Sequence, residues 1–110
     1  MVYKIEMDTP EQIEVVRKLV EDSFNENSHY TGLSSLDEQS KDHIINIGTS
    51  ILCTKWEVGY KGGGFVQSVV SNDLMGAVGN ADGTSLKGLK FFLQLMYNNS
   101  KPITLQHNKE

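Results

Sequence analysis

Apolar residues recur at intervals of three and four along much of this chain, a spacing that gathers them on one face of a helix and constrains the fold more than any other feature. Ile13, Val16, Val20 and Phe24 keep that spacing, with Val15 and Leu19 widening the face and Glu14, Arg17, Lys18 and Glu21 mostly outside it. Thr9-Pro10-Glu11-Gln12 has the capping-box pattern that starts a helix, with proline at the first helical position. Asn25 through Ser34 gathers Asn, Ser, His, Thr and Gly and reads as a loop. Ser35-Leu36-Asp37-Glu38 is a second capping box, and Ile44, Ile47 and Ile51 supply the stripe of a second helix running to about Trp56.

Residues 51–71 admit two readings. Leu52, Thr54, Trp56 and Val58 alternate, and Phe65, Val66, Val69 and Val70 favour strands, which allows an α+β alternative with a hairpin turning at Gly59–Gly64. Helix is preferred for the second arm, because Phe65, Val66, Val69, Val70, Leu74, Ala77 and Val78 hold one apolar face for longer than a strand lasts, with Gly79 as its stop. Asp82 to Ser85 offers N-caps for a last helix striped by Leu86, Leu89, Phe92, Leu93 and Met96 and ending near Tyr97-Asn98. Residues 3–7 and 103–105 are short strand-like arms. The fold expected is mainly α, a small bundle of about four helices.

With 110 residues the chain is read as a single domain, residues 1–110, with enough core to need no metal or disulfide. It is 38% hydrophobic and 22% charged, with no apolar run long enough to span a membrane and no secretory leader pattern. Cys53 stands alone, which fits a reducing cytoplasm better than secretion. Ten Lys and Arg against 14 Asp and Glu leave no basic footprint for general nucleic-acid binding. The charge is uneven: residues 1–58 hold 11 acids and 5 bases, residues 59–110 hold 3 acids and 5 bases.

No catalytic constellation is visible. His29, His43 and His107 lack zinc spacing, and no cofactor motif occurs. Asn80-Ala81-Asp82-Gly83-Thr84 lacks the ligands of a calcium loop and reads as a turn or cap. Binding chemistry concentrates in the glycine turn. Gly62, Gly63 and Gly64 lead into a helix whose first amides face outward, Lys61 adds a positive charge, and Trp56 and Tyr60 offer stacking faces. That set would suit a small anion such as a nucleotide, although the spacing is neither of the two common phosphate-loop patterns. The competing reading is a tight interhelical turn with Trp56 anchoring the core. Asn72 and Asp73 interrupt an apolar run and offer a polar contact to a ligand or interface; Asp82 offers another, or a helix cap. Phe91 and Phe92 are adjacent, so one is expected outside the core stripe, where a second copy of the chain would cover it.

Gly63-Gly64-Phe65-Val66, Val69-Val70, Asn72-Asp73-Leu74, Ala77, Ala81-Asp82, Tyr97-Asn98 and Pro102 together resemble a group of short uncharacterised proteins of bacteriophage and prophage genomes. The resemblance covers residues 59–102. It implies a small helical accessory protein without an established catalytic set. Members often carry an arginine just before the Ala-Asp pair, where this chain has Asn80. The function expected is non-enzymatic binding of a protein partner or of itself, with anion capture at the glycine turn as the alternative.

Overall fold

The computed structural model describes residues 9–59, 61–102 and 105, and the order of elements is six α-helices with no strand among those residues. The first, α1, spans Thr9–Thr31 and buries Val16, Val20 and Phe24, the stripe read from the sequence. It does not stop at Asn25 as expected. The polar residues of its last two turns bond back onto the helix: Asn27 Nδ2 donates to the Ser23 carbonyl at 2.9 Å, and Thr31 Oγ1 to that of Asn27 at 3.0 Å. Gly32, with φ of 75°, then ends α1 in the left-handed region, and the Leu33 amide reaches back to the Ser28 carbonyl at 2.8 Å. Leu33 itself is buried, which holds the exit in place.

Helix α2 spans Glu38–Trp56 and supplies the centre of the core through Ile44, Ile45, Ile51, Leu52 and Trp56. Its cap is Asp37, two residues into the predicted box, whose carboxylate accepts from the Ser40 amide at 2.7 Å. At the other end Glu57 sits in the left-handed region with φ of 59°, and the Val58 amide donates to the Cys53 carbonyl at 2.8 Å. A carboxylate there also faces the negative end of the helix. Glu57 is exposed, so Glu57→Gly relieves both penalties without disturbing packing. The variant is expected to be about 0.5–1 kcal/mol more stable in chemical denaturation, and a loss of stability would contradict this account of the cap.

The hairpin reading of residues 51–71 is excluded, since 51–56 complete α2 and α3 is a helix over Gly64–Val70. The long helix expected to follow is instead broken. After α3 the chain turns at Asn72, which takes φ of 62°, and the Asp73 amide reaches back to the Ser68 carbonyl at 2.8 Å. Asp73 then caps α4, Leu74–Asn80, accepting from the Gly76 amide at 3.0 Å. Asn72 and Asp73 thus form the break and do not interrupt a helix; Gly79 lies inside α4, and Asn80 closes it by donating to the Gly76 carbonyl at 2.8 Å.

The predicted last helix is likewise two. Asp82 caps α5, Gly83–Lys87, accepting from the Ser85 amide at 2.7 Å, the cap role read from the sequence. Helix α6, Leu89–Asn98, follows after Gly88, whose amide is shared between the Thr84 and Ser85 carbonyls. The mainly helical class holds, with more and shorter helices than four. Phe91 and Phe92 are both buried, at 1% and 0% exposure, which corrects the expectation that one would face outward. Phe91 meets Phe24 of α1 edge-on at 5.5 Å and Phe92 meets Phe65 of α3 at 5.7 Å, so α6 closes the core against both. No helix among the described residues is long and apolar enough to cross a membrane. The strand-like arms lie outside the described residues, apart from Leu105, which is buried.

Candidate functional site

The glycine turn is built for chain reversal. Trp56 ends α2 at 5% exposure, its ring in the core and not offered as a stacking face. Its carbonyl accepts from Lys101 Nζ at 2.9 Å, tying α2 to the chain beyond α6. The Gly62 amide is already donated to Thr54 Oγ1 at 2.9 Å, and the Gly62 carbonyl accepts from Gln67 Nε2 at 2.8 Å. A Cβ at Gly62 would lie 2.6 Å from that of Val66 and 2.5 Å from Ser50 Oγ, so glycine is required there by close packing. Gly63 caps α3 without a side-chain bond, Gly64 faces the Asn80 amide, and Lys61 is exposed. Tyr60 lies outside the described residues. Among the described residues, then, Trp56 is not a free stacking face and the Gly62 amide is already engaged.

The other predicted residues are carried elsewhere. Asp82 borders a polar basin of about 490 Å³ with Gln39, Ser40, Asp42, His43 and Thr84. Its carboxylate accepts from the Ser85 backbone and hydroxyl and faces His43 Nε2 at 3.2 Å; these contacts hold its pKa below the usual carboxylate value. His43 is thus a helix-face residue tying α2 to the α5 cap. No group of three or more His, Cys, Asp or Glu able to hold a metal occurs among the described residues. Cys53 is buried and its thiol pKa is pushed up to about 11 by that burial, the opposite of what a nucleophile needs.

Asn72 and Asp73 border an apolar depression of about 190 Å³ whose walls include Leu74, Leu89 and Leu93. Leu89 and Leu93 also wall a second one, about 460 Å³, together with Lys90 and Tyr97. The two join into one apolar strip across α4 and α6. Leu74 is 65% exposed and Tyr97 93%, with Met75 beside Leu74 at 87%. In folded proteins, exposed apolar patches of this kind are commonly contact surfaces.

The stripe expected for the last helix holds for Leu89 and Met96, which pack half-buried against the core, but Leu93 faces outward. The core instead takes Phe91, Phe92 and Leu95, and the opposite side is apolar as well. The signal was present: Leu89, Phe91, Phe92, Leu93, Leu95, Met96 and Tyr97 exceed what one helix face can bury. No protein-family model, curated protein or solved structure matches the chain.

Proposed function

We propose that this protein is a small binding module that pairs with a second copy of itself through the strip formed by Leu74, Leu89, Leu93 and Tyr97. The observation that carries the reading is the exposure of Leu74, Leu93 and Tyr97 around the half-buried Leu89, next to a core already filled by the other side of α6. Its charges support a two-fold arrangement. Asp73 lies in the depression on the α4 side and Lys90 in the one toward Tyr97, with Leu89 and Leu93 shared between them. A two-fold axis at the shared leucines brings the acidic end of each copy over the basic end of the other, the self-complementarity that an isologous pair needs. The resemblance of residues 59–102 to phage and prophage accessory proteins supports the same class of function, and every residue of the strip falls within that stretch.

A concentration series of two-dimensional amide NMR spectra tests the location of the contact. Shifts on dilution should fall on Leu74, Leu89, Leu93 and Tyr97. Spectra that do not change with concentration, or change on the outer face of α1 around Lys18, would overturn the proposal.

A further inference from the structure

A further cleft, about 260 Å³ in volume, opens where α6 runs antiparallel to the second half of α1, on the other side of Gln94 and Asn98 from the depression that Leu93 and Tyr97 wall. Its polar lining is Ser23, Glu26, Asn27, Gln94, Asn98 and Asn99, above the buried Phe91 and Leu95. The orientation of two of the amides is fixed by their neighbours. Asn27 Nδ2 donates to the Ser23 carbonyl and Asn99 Nδ2 to that of Leu95, both at 2.9 Å, which leaves each Oδ1 as an acceptor. Gln94 Oε1 is buried with no hydrogen-bond partner among the described residues. Glu26 contributes an exposed carboxylate, and no Lys, Arg or His among the described residues lines the cleft.

The polar side of this cleft is therefore rich in acceptors, includes one negative charge and offers no cation. In this half of α1, Glu21 and Asp22 are paired with Arg17 and Lys18, so Glu26 is the carboxylate that sets the sign of the lining. Native folds rarely leave a buried acceptor unmatched, since the desolvation it suffers on burial is recovered only when a donor reaches it. We infer that the cleft binds a guanidinium group. A guanidinium is a flat cation whose N–H donors fan out in one plane, matching planar amide and carboxylate acceptors. Its weak hydration suits a floor of Phe91 and Leu95 better than the compact, strongly hydrated ammonium does. The volume lies just below that of sites for drug-sized ligands, which fits a headgroup of this size. The group has two sources, a free guanidino compound or an arginine side chain on another protein.

Titration with agmatine, followed by side-chain amide NMR signals, should give saturable shifts of Gln94, Asn27 and Asn99. Tetramethylammonium, a cation without N–H donors, should give none. Glu26→Gln, at an exposed position where folding is not at risk, should weaken binding about tenfold through loss of a charge-assisted bond, and Gln94→Met by a similar factor. A blocked tripeptide with arginine at its centre separates the sources: binding as tight as agmatine's identifies an arginine side chain, and binding tenfold weaker identifies a free compound. Absence of saturable shifts, equal shifts with tetramethylammonium, or unchanged binding in Glu26→Gln would overturn the inference. Repeating the titration on Leu93→Glu keeps this outcome separate from that of self-pairing.

Discussion

Phe92→Ala is expected to lower the free energy of unfolding by about 3–5 kcal/mol, the range for removing a large aromatic from a packed interior. Phe92 has no exposed surface and stands where three helices meet, against Phe65 of α3, Phe91 of its own helix, and the Ile44 side of α2. The substitution removes the ring's transfer energy, and the rigid neighbours around it collapse only partly into the space. Domains of this size are stable by about 5–15 kcal/mol, so the variant would be marginal at ordinary temperature. Urea titration checks this: the midpoint should fall sharply while the slope stays the same. A loss below about 1 kcal/mol would mean that α6 does not close the core in this way.

Leu93→Glu, one position along, should do almost the reverse. Leu93 is 44% exposed, so a charge there is tolerated by the single chain and should alter its stability by less than about 0.5 kcal/mol. In the pair the same carboxylate would be buried between two apolar surfaces without a partner. The lost leucine contact and that desolvation together should weaken self-association about a hundredfold or more. Lys90→Glu offers a charge-specific companion, since it opposes Asp73 of the second copy with like charge and should weaken pairing less, about three- to tenfold. Adjacent residues on one helix thus separate the two roles of α6, with Phe92 deciding whether the chain folds and Leu93 whether it pairs.

Helical periodicity made the class of fold readable, and the α1 stripe from Val16 to Phe24 and the Asp82 cap were readable residue by residue. Boundaries were less so, because local hydrogen bonding overrode composition. Asn27 and Thr31 look like loop residues until their side chains bond to carbonyls of the preceding turn. Asn72 looks like one polar position in a helix until its left-handed backbone ends α3. In the sequence the glycine turn has the look of a ligand site because glycines carry few other local signals, yet Gly62 is explained by the approach of Val66 and Ser50. That contact comes from helix packing, which no local pattern encodes. The strip and the acceptor-rich cleft are hidden because each is assembled by packing, the cleft from α6 and the sequence-distant α1, the strip from α6 and α4 across the break at α5; only the surplus of apolar residues in α6 hints at the strip.

Self-pairing through α6 is the central claim, and sedimentation equilibrium at micromolar concentration tests it most directly. The protein should sediment with twice the 12.3 kDa mass of one chain, and Leu93→Glu with the mass of one. A native chain that remains a monomer throughout that range, or a Leu93→Glu variant that still pairs, would contradict the account.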